Sequence, residues 1–275
     1  MRILLIFFTA LFTFAQPPSD WSKPFPAHRI IGNLYYVGTY DLACYYIVTP
    51  QGNILINTGL GDSVPLIKAS VESLGFKLED TRILLTMQAH YDHVAAMAEM
   101  KRLTHARLLA TDGDAPLLED GGKSDHLLTG PAYEFTPVKV DGRIADGQKI
   151  SLGGTELTAH LHPGHTRGSV SYSVTIEGKH VLMANLGSIN PGTVMFGNKK
   201  YPQIAEDYAR TFREQKKLEC DIFLAGHAQQ YRLHDKWKPG QAYSPDTFVD
   251  PDGYKTAVAK SEAAYQEYLK TSPRP

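Results

Sequence analysis

The sequence predicts an α/β protein in which two β-sheets pack together with helices outside. Three observations predict it. Short apolar runs bounded by turn residues recur along the chain, each block of them closes with a helical segment, and the second half repeats the order of the first. No low-complexity tract or linker divides the 275 residues, so residues 16–275 read as one domain built from two similar halves.

Residues 16–28 are rich in proline and polar groups and read as an extended arm. Strand signals follow at 34–37, 44–49 and 53–57, the last just ahead of the turn-forming T-G-L-G. Residues 62–76, DSVPLIKASVESLGF, carry apolar side chains at helical spacing and stop at Gly75. The run 83–86 is apolar throughout and too short for a helix, so it reads as a buried strand. From His93, HVAAMAEMKRLT reads as helix, with Val94, Met97 and Met100 three residues apart. The second half holds strand signals at 138–140, 148–152, 155–161, 169–176 and 179–184. A helix over 203–217, a strand over 221–224 and a helical tail over 252–269 complete it.

Composition narrows the function. With 43% hydrophobic and 21% charged residues the chain can bury a core of its own. A formal net charge of −1 excludes broad attraction to nucleic acid or to an anionic membrane. The opening MRILLIFFTALFTFA joins a basic Arg2 to an apolar run that ends in small residues. That run falls short of the roughly 20 residues a membrane span needs, and it reads as a secretory signal cut after Ala15. The mature protein is then exported, and periplasmic in a Gram-negative cell. Export permits disulfides, but Cys44 and Cys220 each adjoin an apolar run and read as buried free thiols.

Residues 87–93, M-Q-A-H-Y-D-H, crowd His90, Asp92 and His93 into four positions directly after the strand at 83–86. Alternation turns Gln88, His90 and Asp92 to one side, while His93 opens the next helix. Imidazole nitrogen and carboxylate oxygen are the usual zinc donors, and catalytic sites keep one position open for water. Further donors are available in T-A-H-L-H-P-G-H-T-R-G-S, which carries His160, His162 and His165, where Pro163 and Gly164 force a turn. His227 follows the apolar run of F-L-A-G-H-A. A lone histidine at a strand end is more often a capped or surface residue than a ligand. Three such motifs in one chain point to a metal site. His28, His105, His126, His180 and His234 stand in polar or irregular surroundings and read as surface residues.

Q-A-H-Y-D-H resembles the H-x-H-x-D-H signature of the metallo-β-lactamase superfamily. L-H-P-G-H-T-R-G-S resembles its second metal motif and L-A-G-H its last. The opening LYYVGTYDLACYYIVTPQGNILINTG is similar as well, with Asn57 in place of the usual aspartate. The resemblance covers almost the whole mature chain and points to subclass B3, GOB-type, in which a glutamine replaces the first histidine. It implies an αβ/βα sandwich, two mixed sheets flanked by helices, with a dinuclear zinc cleft along one edge.

The resemblance implies a first zinc on Gln88, His90 and His165 and a second on Asp92, His93 and His227. His160 and His162 fall outside the ligand positions, and Arg167 replaces a common proline. The implied activity is that of a secreted zinc-dependent β-lactamase conferring antibiotic resistance. On that resemblance, zinc would activate water for attack on the lactam carbonyl of penicillins, cephalosporins and carbapenems, with Asp92 both ligand and orienter of the nucleophile. Ser188, in G-S-I-N, resembles a serine that helps hold the substrate carboxylate, a plain turn serine being its other reading. Leu186 stands where many B3 enzymes carry a polar residue. Asn185 stands where thioesterase and lactonase relatives carry a metal-bridging aspartate. Its neutral amide favours the lactamase over the alternative, a periplasmic metallohydrolase of another ester or lactone, and the intact ligand set disfavours a zinc-binding protein without activity. An amide oxygen is a weaker zinc donor than imidazole. One or two zinc ions are therefore expected, the Asp92–His93–His227 site being the tighter. The expected partner is a small β-lactam, and the expected state is a monomer without nucleic-acid or stable membrane contacts.

Overall fold

Strand pairing gathers the apolar runs into two sheets. The computed structural model describes residues 17–274, and the expected signal segment, 1–15, lies outside them. The first sheet holds β1 (His28–Ile31), β2 (Leu34–Tyr36), β3 (Tyr45–Ile47), β4 (Asn53–Ile56), β5 (Thr81–Leu85), β6 (Arg107–Thr111) and β7 (Gly142–Ile144), side by side in chain order. Pairing is antiparallel from β1 to β4 and parallel from β4 to β7. Parallel neighbours need crossovers. These are supplied by α1 (Val64–Ser73), α2 (Tyr91–Val94), α3 (Met97–Thr104) and α4 (Ala115–Asp120). The second sheet holds β8 (Lys149–Leu152), β9 (Thr155–Leu161), β10 (Val170–Ile176), β11 (Lys179–Ala184) and β12 (Ile222–Ala225). It is an antiparallel meander until α5 (Ile204–Gln215) carries the chain to β12, which lies parallel to β11. After it come α6 (Leu233–Lys236) and α7 (Pro251–Thr271).

The period of two in the strands sorts their side chains between two cores. Ile54 and Ile56 of β4 and Leu85 of β5 join Leu157, Tyr172 and Met183 of the second sheet between the sheets. Leu55 and Leu84, one residue out of step, join Ile67, Val71, Met97 and Met100 on the helical side. Both faces of β4 and β5 are therefore apolar, which is why these runs show no alternation. Each such fully buried aliphatic side chain contributes about 1.5–3 kcal/mol. Tyr208 and Phe212 of α5 and Tyr254 and Tyr265 of α7 extend the inter-sheet core beyond β12.

Most expected elements are present, and the departures have local causes. The helix expected from His93 is two pieces, α2 and α3. Thr58 donates its backbone N–H to the His93 carbonyl and Ala95 donates to the Gly59 carbonyl, so the loop after β4 takes groups a continuous helix would use. No strand forms over 138–140. Val138 and Val140 are buried against the helices, but their backbone N–H groups go to the Leu118 carbonyl and to Glu119, and the ladder with β6 starts only at Gly142. Strands β1, β6 and β7 and helices α4 and α6 were not expected. The arm is extended apart from one turn at Ser19–Trp21 and enters the first sheet at His28.

Two histidines expected at the surface are inside. His28 is 6% exposed and stacks on Trp237 with ring centroids 3.8 Å apart. The His126 side chain is 5% exposed, beside Asp125 and Tyr201. His234 is half-buried against Tyr40, whereas His105 and His180 are exposed as expected. Cys44 and Cys220 are buried and free. Among the described residues no helix is long and apolar enough to cross a membrane.

Candidate metal centre

The six expected donors meet where the two sheets are stitched together. Beyond β5, Met87 is held from both sides. Its N–H donates to the Asn57 side chain (2.9 Å), and its carbonyl accepts from Val170 of β10 (2.9 Å) and from the Asn185 amide (2.7 Å). Asn57 is in the left-handed region (φ 62°), and its amide also donates to the Ala43 carbonyl at 3.2 Å. An aspartate at position 57 or 185 would lack that donor. The adjoining Gln88 and His90 thus start from a fixed backbone, and α2 turns Asp92 and His93 inward.

The other donors arrive on equally constrained turns. Gly164 has φ 137°, and a Cβ there would stand 2.8 Å from the Tyr208 ring, so the P-G-H turn that aims His165 requires glycine. His227 follows β12, where Ala43 and Ala228 exchange backbone hydrogen bonds with Gly226 and Asp41. A Cβ on Gly226 would stand 2.9 Å from the His93 ring, so glycine lets the two histidines approach.

Two clusters result. In the first, His90 Nδ1 and His165 Nε2 face each other at 3.1 Å. The Gln88 Oε1 atom is buried with no hydrogen-bond partner. His165 donates its Nδ1–H to the Ser188 carbonyl (2.8 Å), which leaves Nε2 as a lone pair pointing inward. His90 Nε2 lies 3.2 Å from Asp125 Oδ2. In the second cluster Asp92, His93 and His227 offer ligand atoms within 4.8 Å of one another. Asp92 Oδ2 is 3.4 Å from both His93 Nε2 and His227 Nε2. His93 Nε2 is buried without a hydrogen-bond partner. His227 Nδ1 bonds Asp41 Oδ2 at 2.8 Å, and Asp41 also accepts from Trp21 Nε1 and the Gln229 N–H.

The electrostatics suit a cation. Burial pushes His165 down to about 3 and His93 to about 4, so both are neutral donors at pH 7. Burial works against the charged form of Asp92, yet His93 and His227 hold its carboxyl well below the usual range. Burial also opposes a charge on His227, but Asp41 and Asp92 raise it to about 9. Imidazole, carboxylate and amide donors with two orphaned buried atoms fit zinc at both clusters.

All six donors line one cleft of about 370 Å³, with Trp21, Tyr91 and Tyr133 at its aromatic side. That volume suits a small molecule. Ser188 lines the same cleft, its Oγ 3.3 Å from His165 Nδ1. Asn185 and Asn190 line it too, whereas Leu186 faces a neighbouring hollow. His160 on β9 and His162 just after it bond Ser173 (2.8 Å) and Ser171 (2.7 Å) of β10, away from the expected donors. Sequence reasoning missed Asp41, Asp125, Trp21, Tyr91 and Tyr133. The two carboxylates reach their histidines across 186 and 35 positions, so no local spacing marks them.

A two-sheet sandwich with histidine and carboxylate donors at its seam is the architecture of a metal-dependent hydrolase. The chain belongs to the metallo-beta-lactamase superfamily, whose family model matches residues 42–227. Solved structures similar to it include beta-lactamases, one of them described as class B3, in line with the sequence resemblance. The class B3 di-zinc metallo-beta-lactamase LRA-12 from an Alaskan soil metagenome is 46% identical, with 93% of this chain and 98% of that chain covered and a TM-score of 0.89. A beta-lactamase from Chitinophaga pinensis is 45% identical over 94% of this chain and 100% of that one, TM-score 0.91. The metallo-beta-lactamase GOB-18 from Elizabethkingia meningoseptica is 41% identical over 96% and 99%, TM-score 0.89. Among curated proteins, a hydroxyacylglutathione hydrolase from Rhodopseudomonas palustris is 28% identical over 179 residues, 64% of this chain. The chain spans 60% of that relative's length.

Proposed function

We propose that the protein is a secreted, zinc-dependent β-lactamase that opens the lactam amide of penicillins, cephalosporins and carbapenems and so confers antibiotic resistance. The observation that carries this reading is the convergence of two metal-fitting donor sets in one small cleft. Identity of 41–46% to beta-lactamases over more than nine-tenths of the chain supports it. Zinc would be held by Gln88, His90 and His165 in one site and by Asp92, His93 and His227 in the other. The chemistry such an ion supplies is Lewis acidity, which brings the pKa of water toward about 7 and polarises a carbonyl oxygen.

The chain's own residues do the rest. Asp92, 7% exposed at the cleft floor, orients the attacking water and accepts hydrogen bonds from it. The Ser188 hydroxyl donates to the substrate carboxylate. Trp21, Tyr91 and Tyr133 exclude water from one side and hold the substrate's apolar part. The amide donor Gln88 makes the first site the looser one, so one or two ions are carried. Residues 1–15 act as the signal peptide, and residues 16–275 work as one monomeric domain in the periplasm.

The curated relatives motivate a second reading, hydrolysis of a hydroxyacyl thioester. Zinc-loaded protein should be assayed on nitrocefin, a carbapenem and a hydroxyacyl thioester, each with and without chelator. Turnover of both β-lactams, abolished by chelator, is the expected result. Thioester turnover with neither β-lactam consumed would overturn the proposal.

A further inference from the structure

We infer that Asp125 is a positioning residue for the first metal site, supplying through His90 the negative charge that Gln88 does not. The inference rests on the proposed role of Gln88, His90 and His165 as zinc donors. That set contains no anionic ligand, whereas the second contains Asp92. A neutral amide and two neutral imidazoles must therefore attract a dication unaided, unless charge is delivered from behind.

Asp125 is built to deliver it. Its two oxygens have separate tasks. Oδ1 accepts the backbone N–H groups of Leu127 (2.7 Å) and Leu128 (2.6 Å), which locks the loop after α4. Oδ2 accepts from His90 Nε2 at 3.2 Å, and both side chains are 3% exposed. Lys200 fixes the same loop through the Asp125 carbonyl at 2.8 Å. A carboxylate on the far nitrogen of a ligating histidine sets its tautomer and raises its basicity. Here it places the proton on Nε2 and frees Nδ1, the atom that faces His165. His165 itself has neutral groups behind it, the Ser188 carbonyl and hydroxyl. Asp114 lies nearby but holds Thr166 (3.0 Å) and Gly168 (2.9 Å) and touches no donor nitrogen. In the second site the corresponding partner is Asp41, bonded to His227 Nδ1.

The decisive variant is Asp125→Asn. It keeps Oδ1 for the two backbone donors but replaces Oδ2 with an N–H₂ group. That group donates to His90 Nε2 and drives the ring proton to Nδ1, where it blocks coordination. The full chain should be titrated with zinc against a competing chelator, and the sites assigned from the ring ¹⁵N shifts of His90 and His227. First-site affinity is expected to fall roughly 10- to 100-fold with second-site affinity unchanged. Adding Gln88→His should restore most of the loss. Asp41→Asn should give the reverse pattern, weakening only the second site. Equal first-site affinity in wild type and Asp125→Asn, or equal losses at both sites, would overturn the inference while leaving the zinc assignment intact. Wild-type protein provides a check independent of any variant. Its His90 must carry the proton on Nε2, and a proton on Nδ1 in the zinc form would refute the role of Asp125. If wild-type zinc shifts neither His90 nor His165, the assignment of the first site itself fails, and the inference with it.

Discussion

Asp92→Asn is expected to cut carbapenem turnover by about a thousandfold with the fold intact. Asp92 is the only carboxylate among the six proposed donors, and its Oδ2 lies 3.4 Å from both His93 and His227. The asparagine has the same shape but no charge, so the second site loses the attraction that holds its ion and the acceptor that orients water. Metal-assisted polarisation is worth several kcal/mol of barrier, and each 1.36 kcal/mol is about tenfold in rate. The side chain sits on the single turn α2, which the loop at Thr58 and Gly59 already pins, so far-ultraviolet circular dichroism should be unchanged. Steady-state kinetics with saturating zinc provides the measurement. A rate within tenfold of wild type would remove Asp92 from the mechanism.

Acid should destabilise the metal-free protein through His28, and His28→Phe should blunt that loss. Burial lowers this histidine to about 4 against its ordinary 6.5, with His234 adding repulsion across Phe25 and the Pro26 carbonyl acting the other way. Nδ1–H already donates to Pro26 (3.0 Å), and Nε2 is buried with no partner, so a second proton would have nothing to bond. Trp237, Tyr36 and Phe248 stack about the ring, and among the described residues no carboxylate bonds it. Between pH 4 and 6.5 the unfolded chain therefore binds the extra proton and the folded chain refuses it. The stability is complete above 6.5 and is lost as pH falls through 4. By about pH 4.5 this one group withdraws roughly 2.5 kcal/mol. His28 anchors the arm that carries Trp21 to Asp41, so the same protonation loosens one wall of the cleft. Urea unfolding at about pH 7 and pH 4.5 should show wild type losing more stability than His28→Phe by that amount. Equal losses would contradict the assignment.

The convergence of the proposed donors was legible in the sequence because Gln88 to His93 and His227 follow short apolar strands that end at a sheet edge, while a Pro-Gly turn marks His165. Gln88, His90, Asp92, His93, His165 and His227 all line the one cleft that this rule anticipates. What supports them was not legible. Asp41 and Asp125 reach their histidines across the fold, and only the pairing of Leu42 with His227 and the loop after α4 bring them there. His28 was misjudged for the same reason. It follows a proline-rich arm whose surroundings look irregular, but the side chains that bury it are Tyr36 of β2, Trp237 just after α6 and Phe248 before α7. Strand β6 was missed because only one face of R-L-L-A-T is fully buried, and the break between α2 and α3 depends on a loop more than thirty residues away.

Zinc-edge anomalous diffraction from crystals of the zinc-loaded protein, after mild dialysis, tests the metal centre itself. A strong peak is expected between Asp92, His93 and His227 and a weaker one between Gln88, His90 and His165. Peaks of equal height at both positions would contradict the weak-donor role of Gln88. Zinc bound elsewhere, or at neither position, would contradict the metal centre itself.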